Sequence, residues 1–359
     1  MRAGDTVARI SRDEFLLLVN PLDNPDQIPL LMDCVVGSMK EPFFIERHEV
    51  LTSATVGVSI YPLHGDNYDT LRRCADSAMY CAKSERKGSA RCFDLAMGDT
   101  LTARMDMEQR LRTAVRDTHF RTALQPKVRI RTGEIVGFEA LVRWVEADGE
   151  MSSPGVFVAL ATELGLIDAI TDIVLDDVGC RLPLPRARFG TDVSVSINFA
   201  ARQAADVHLM DSLIDRLQSE GVASSIVLEL TEDALIATQH FQRHVLPRLL
   251  EMGVRVSIDD FGAGFSSLST LADITVDEVK VARAFISSIH ERPRSQGILK
   301  AMESLCQALR IEVVAEGVET REELAYLERE TSIQFVQGYY LGKPQYIESL
   351  LGDREPGIN

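Results

Sequence analysis

The stretch Val254-Arg-Val-Ser-Ile-Asp-Asp-Phe-Gly-Ala-Gly-Phe-Ser-Ser-Leu268 decides how this chain is read. Five residues of strand character run directly into two adjacent carboxylates, Asp259 and Asp260, and then into a loop with two glycines. Apolar, strand-like runs recur at 193–199, 226–230, 276–281, 311–315 and 335–340, with helical spacing between them. Such strand–helix alternation implies a parallel sheet, and this many units over about 230 residues suits an α/β fold of the TIM-like (β/α)8 barrel kind.

Polar residues terminate these runs. Phe138-Glu139 leads into Ala-Leu-Val-Arg143, and the other runs end in Asn198, Glu229, Asp259-Asp260, Lys280, Glu316 and Gln337. The carboxyl ends of barrel strands open on one mouth, so residues far apart in the chain converge there. Five carboxylates, the Asn198 amide oxygen and one ammonium would then share a pocket, which is costly without a cation because each carboxylate disfavours its neighbour's ionisation. All-oxygen ligation without His or Cys favours Mg²⁺ or Mn²⁺ over zinc, and the adjacent Asp259 and Asp260 can serve two ions. Two-metal sites of this type activate water for attack on a phosphate ester. Taken singly, a strand-end Asp or Glu is more often a helix cap or surface residue, and an Asn a turn former; the recurrence over seven strands carries the inference.

The 359 residues are 45% apolar and 26% charged, which is ordinary globular composition with room for two domains. With 38 Lys+Arg against 54 Asp+Glu, the net charge of −16 leaves no domain-wide basic field, so no DNA partner is expected. Cys34, Cys74, Cys81, Cys92, Cys180 and Cys306 form no C-x-x-C pair and no zinc spacing, which fits reduced thiols and a cytoplasmic setting. No run approaches the roughly 18 apolar residues of a membrane segment, and no signal peptide opens the chain.

Ahead of the barrel, Val7–Ile10 and Phe15–Val19 read as a hairpin. Pro21, Asn24, Pro25 and Pro29 then break the chain, 28–39 has helical spacing, 53–61 alternates like a strand, and 71–82 is helical, closing a small α+β unit near Asp94. So little chain precedes the first strand that this unit reads as a domain missing its beginning. Leu101, Met105, Glu108, Leu111 and Val115 line one stripe of a charged interdomain helix.

These residues resemble the EAL-domain family of cyclic di-GMP phosphodiesterases over roughly Glu108 to Leu351. The motifs that carry the resemblance are Leu124-Gln-Pro-Lys127, Glu139-Ala-Leu-Val-Arg-Trp144, Ser153-Pro154, Asn198, Glu229-Leu-Thr-Glu232, Asp259 to Leu268, Lys280, Ala315-Glu-Gly-Val-Glu-Thr320 and Val336-Gln-Gly-Tyr339. The resemblance implies a modified (β/α)8 barrel that hydrolyses cyclic di-GMP to linear pGpG with two Mg²⁺ or Mn²⁺ ions and works as a homodimer through this domain. Glu139, Asn198, Glu229 and Asp259 would bind one ion; Asp259, Asp260 and Glu316 would serve the other. Lys280 would orient the attacking water and offset transition-state charge. Gln125 and Arg143 would hold guanine and phosphate, Val142 would wall the site through its backbone, and Gln337 and Tyr339 would close the pocket. Glu232 and Glu319 would support the 259–268 loop.

This chain departs from the family pattern at Ala282, where Asp is usual two residues after the lysine. Smaller departures are Leu124 for an aromatic, Ala263 for Thr and Phe265 for Tyr. A slow enzyme is therefore expected, with a catalytically weak or silent cyclic di-GMP receptor or protein-docking module as the alternative. The residues alone also leave open a phosphodiesterase acting on some other nucleotide ester. Residues 1–95 resemble a truncated GGDEF domain: Val7-Ala-Arg-Ile-Ser-Arg-Asp-Glu-Phe15 stands at the signature, and Ala75-Asp-Ser-Ala-Met-Tyr-Cys-Ala-Lys83 resembles the closing helix. Ser11-Arg12 replaces the Gly-Gly that lets backbone approach nucleotide phosphates, so no cyclase activity is expected. Arg2-Ala-Gly-Asp5 has the spacing of that family's product-binding inhibitory site, a short pattern that also occurs for packing reasons, and a regulatory or dimerising remnant is the expected role of this half. The expected boundaries are 1–95 for the GGDEF-like part, 96–119 for a linker helix, 120–352 for the EAL part and 353–359 for a tail.

Overall fold

The computed structural model describes residues 4–10, 14–22, 24, 27–39, 43–45, 48–50, 52–86, 88–146, 151–152, 154–231, 234, 240–262 and 274–351. The chain divides into two compact units, Met1–Gln109 and Arg110–Asn359, and the division falls inside a long helix, Leu95–Arg116. Of the predicted stripe on that helix, Leu111 is fully buried but Met105 is exposed, while Met97 and Ala114, outside the stripe, are buried. No helix among the described residues is long and apolar enough to cross a membrane.

In the first unit, strands β1 (Thr6–Arg9) and β2 (Phe15–Leu18) form the expected antiparallel hairpin. Short strands β3 (Phe43–Ile45) and β4 (His48–Val50) pair antiparallel, a feature the proline-broken sequence did not signal. The alternating 53–61 run yields only β5 (Val56–Val58), which pairs in parallel with β6 (Ala90–Cys92). Helix Ile28–Ser38 has proline in its first turn, where the missing N–H costs nothing. Helix Tyr68–Glu85 begins at Asn67, whose Oδ1 accepts from Thr70 N at 2.9 Å, and carries Asp69 and Lys83 at the ends where the helix dipole favours them. That helix lies so close to β5 that a Cβ on Gly57 would sit 2.0 Å from the Ala75 carbonyl. Ser11, Arg12 and Arg2 lie outside the described residues.

The second unit is a closed barrel. Strands β7 (Phe120–Arg129), β8 (Ile135–Val145), β10 (Ser194–Phe199), β11 (Ile226–Thr231), β12 (Arg255–Phe261), β13 (Glu278–Val281), β14 (Glu312–Ala315) and β15 (Phe335–Gln337) pair in succession, and β7 returns to pair with β15. Short strands β9 (Met151–Ser152) and β16 (Gln345–Tyr346) extend its rim beside β8 and β7. All barrel neighbours are parallel except β7, which is antiparallel to both β8 and β15. The alternation of strands and helices did not reveal this reversal. It arises because β7 and β8 are joined by a tight turn through Gly133 (φ 70°) in place of a helical crossover.

The apolar faces of the strands pack outward against the helices, with Ile197, Leu228, Val256 and Ile258 in one continuous core with Met210, Leu213, Leu217 and Leu249. The interior of the barrel is instead polar in its lower layers: Lys127 Nζ meets Glu278 Oε2 at 2.6 Å, and Ser257 Oγ donates to Glu278 Oε1 at 3.2 Å. Both ionic partners are almost fully buried. Breaking one side of such a pair strands a charge out of water at a cost of about 3–5 kcal/mol. We therefore predict that Lys127→Met destabilises the barrel by about that amount, while Lys127→Met combined with Glu278→Leu recovers most of it. Urea unfolding followed through the single tryptophan, Trp144, which is buried in the barrel unit, checks this; equal losses in both variants would sink it.

Candidate active site

Strand register brings the predicted residues to one mouth of the barrel. Asn198 stands beside Glu229, and Thr231 beside Asp259; Gln125 on β7 stands opposite Glu139 on β8. Side chains alternate along a strand, so two consecutive aspartates would ordinarily face opposite ways. Between Ile258 and Phe261 the pairing of β12 with β13 slips by one residue, and Asp260 adopts a left-handed backbone (φ 51°). This bulge turns both carboxylates toward the same place. Asp259, Asp260 and Glu316 each offer an oxygen within 4.8 Å of the others. Asp259 Oδ1 also accepts from Asp260 N at 2.9 Å.

At the centre is Lys280, 1% exposed. Its Nζ lies 2.6 Å from Glu316 Oε1, 2.9 Å from Glu229 Oε2, 3.1 Å from Glu139 Oε2 and 3.5 Å from Asp259 Oδ1. Glu139 is held further by Asn198 Nδ2, which donates to Oε1 at 2.8 Å, and by Gln337 Nε2, which donates to Oε2 at 2.6 Å. Gln337 Nε2 also reaches Gln125 Oε1 at 3.3 Å, and Gln125 Nε2 donates to the Gly342 carbonyl at 3.2 Å.

One ammonium among so many carboxylates leaves an excess of negative charge. Burial opposes ionisation of Lys280, but Glu139, Glu229, Glu316 and Asp259 outweigh it and raise its pKa well above the usual lysine value. Burial likewise opposes the charge on Glu139, yet Lys280, Asn198 and Gln337 prevail and keep Glu139 ionised below the usual carboxylate value. Glu229 goes the other way: burial, reinforced by Glu139, Asp259 and Glu316, raises it well above that value despite Lys280. Burial, with Asp259 and Glu139, pushes Glu316 up to about 7, and burial with Asp259 raises Asp260. A set of oxygen donors that resists ionisation in this way fits one or more hard divalent cations.

The remaining predicted residues lie around this cluster. The Arg143 guanidinium is half-buried, its pKa lowered by burial, and its Nη1 donates to the Val142 carbonyl at 2.8 Å, so the Val142 backbone and Arg143 form one element. Tyr339 is exposed, with Lys343 Nζ 5.8 Å from its ring centroid. Glu319 Oε2 accepts from Arg283 Nη2 at 2.8 Å. Ala282 is buried and starts the short helix Arg283–Ile286 directly after Lys280's strand. Leu124 belongs to the apolar core. Glu232, Ser153, Ala263 and Phe265 lie outside the described residues. The donor role of Gln337 toward Glu139 was not legible beforehand, because nothing in the spacing of a strand-end Gln says which carboxylate it meets.

Residues 1–89 match the model described as Diguanylate cyclase, GGDEF domain. A relative in Pseudomonas aeruginosa, "Bifunctional diguanylate cyclase/cyclic di-GMP phosphodiesterase MucR", is 34% identical over 98% of this chain and 51% of its own length. "Cyclic di-GMP phosphodiesterase PdeR" of Escherichia coli is 34% identical over 94% of this chain and 51% of its own. The chain thus spans about half the length of these relatives. Among solved structures, "PaMucR Phosphodiesterase, c-di-GMP complex" superposes with a TM-score of 0.64 at 34% identity, covering 68% of this chain and 98% of that one. The EAL domain protein from Listeria monocytogenes EGD-e superposes at 0.60 with 30% identity, covering 67% and 95%. With the EAL domain model matching residues 108–344, which include every described residue of the carboxylate–lysine cluster, the chain belongs to the EAL-domain family.

Proposed function

We propose that the barrel hydrolyses one phosphodiester bond of cyclic di-GMP to linear pGpG, using two Mg²⁺ or Mn²⁺ ions. The convergence of Glu139, Glu229, Asp259 and Glu316 on the buried Lys280, with Asp260 beside them, carries this reading. A module that only bound the ligand would have no use for so costly a set of carboxylates. Glu139, Glu229, Asp259 and the Asn198 amide oxygen would hold one ion; Asp259, Asp260 and Glu316 would hold the other. Bound there, the ions would supply Lewis acidity and lower the pKa of water.

The chain's own groups would do the rest. Lys280, already charged by its surroundings, would orient the attacking water and offset charge developing on the phosphoryl oxygens. Arg143 would take a phosphate oxygen of the substrate, with the Val142 backbone holding its guanidinium in place. Gln125 would meet guanine, its side chain steadied by Gly342 and Gln337, and Tyr339 would cover the ligand from the rim. Because the substrate is an anion, the acidic chain depends on the ions and Arg143 to reverse the local sign of the potential.

Ala282 favours a second reading, a weak or silent cyclic di-GMP receptor, because a carboxylate usual in the family is missing there. Incubating the protein with cyclic di-GMP and Mn²⁺ separates the two. We expect pGpG to accumulate, EDTA to stop it and added Mn²⁺ to restore it, and Glu316→Gln or Lys280→Met to lower kcat by roughly 100-fold or more. Tight ligand binding with no product would select the receptor. GTP in the same assay should yield no cyclic di-GMP, given Ser11-Arg12 at the GGDEF signature; its appearance would overturn that expectation. Finally, Ala282→Asp should raise kcat about tenfold by restoring support around the ion-binding groups. An unchanged rate would remove Ala282 as the cause of slow turnover.

A further inference from the structure

The loop that follows Glu316 is tightly fixed. It turns on Gly317 (φ 69°), where a Cβ would lie 2.4 Å from Arg283 Cγ, so the Arg283 stem rests directly on the loop backbone. Val318 is bonded on both sides, its N–H donating to the Gln337 carbonyl and its carbonyl accepting from Tyr340 N, both at 3.1 Å. Helix Arg321–Glu330 begins at Thr320, whose Oγ1 accepts from Glu323 N at 3.2 Å, while Glu323 Oε2 accepts from Thr320 N at 3.1 Å. That reciprocal arrangement is a capping box.

A capping box needs only one carboxylate oxygen, and Glu323 does more. Its Oε2 also accepts from Glu319 N at 2.8 Å, and its Oε1 leaves the helix to accept from Ser288 N at 2.8 Å. Ser288 has a left-handed backbone (φ 52°) and closes the turn after helix Arg283–Ile286, which departs from the strand of Lys280. One carboxylate, 4% exposed, therefore binds the loops that follow two adjacent barrel strands, one carrying Lys280 and the other leading to Glu316. Burial works against its charge, but the N–H groups of Ser288, Glu319 and Thr320 prevail and hold Glu323 below the usual carboxylate value. The Arg283–Glu319 pair bridges the same loops from the outside, where solvent weakens it. The buried, charge-assisted bonds to Glu323 are the stronger tie.

We infer that Glu323 is a positioning residue for the hydrolytic site: it fixes Glu316 against Lys280, and so shapes the cation site, without touching substrate or ion. The inference rests on the functional reading above. The test compares Glu323→Gln with Thr320→Ala in the full chain, measuring Mn²⁺ affinity by calorimetry, kcat and KM for cyclic di-GMP, and amide hydrogen exchange. Glu323→Gln keeps one acceptor oxygen and loses the other. It should weaken Mn²⁺ binding roughly tenfold and lower kcat similarly with KM unchanged, and it should speed exchange in peptides covering both Ser288 and Glu319–Thr320. Thr320→Ala loses a cap on the same helix but leaves the tie to Ser288, so exchange should rise only at the helix start and Mn²⁺ affinity should hold. The inference fails if Glu323→Gln leaves affinity and Ser288 exchange at their wild-type values, or if Thr320→Ala reproduces the loss. A wild-type chain that takes up no Mn²⁺ overturns the functional reading and the positioning role with it, and unchanged exchange distinguishes failure of the tie itself.

Discussion

The buried ammonium of Lys280 is the constraint on which the mouth of the barrel depends. Its Nζ is within 3.5 Å of oxygens from Glu139, Glu229, Asp259 and Glu316, each delivered by a different strand or the residue just beyond one. Neither the ammonium nor the carboxylates could be buried alone, because the desolvation of an unpaired ion far exceeds what packing returns. Together they are tolerable but unbalanced, and the excess negative charge is what suits the mouth to hard cations.

Several backbone features exist to satisfy this one arrangement. The bulge at Ile258–Phe261 and the left-handed Asp260 turn two neighbouring carboxylates the same way. The reversed β7 lets Gln125 meet Gln337, which in turn restrains Glu139. Gly317 admits the stem of Arg283 over the loop behind Glu316, and Glu323 ties that loop to the one after Lys280. Below the mouth, Lys127, Glu278 and Ser257 continue the polar interior, so this barrel is held by paired charges within and by an apolar shell without.

The barrel was legible because Val, Ile and Leu recur in short runs separated by stretches of helical period, each run closed by a polar residue. Six of its strands lie where those runs stand, within a few residues at their ends. The direction of β7 was not legible, since the composition of an isolated strand carries no sense of direction and the reversal hangs on a five-residue connection around Gly133. In the first unit the hairpin and both main helices were readable from periodicity, but three-residue strands such as β3, β4 and β6 are too short to leave a period. Glu323 had a visible signature, the Thr320-x-x-Glu323 spacing of a capping box, yet its reach to Ser288 had none.

The linear order of residues by itself determined which polar side chains close the apolar runs: a lysine, two amides and five carboxylates, with no histidine or cysteine among them. That chemistry, and the kind of cation it suits, follows from composition and period because strand ends in a parallel barrel share one mouth. Only the tertiary structure decided which atoms meet. Whether Gln337 restrains Glu139, whether Asp259 and Asp260 face together, and whether Glu323 spans two loops are matters of register, bulge and close approach. Those are settled by packing between segments distant in the chain, and no local propensity records them.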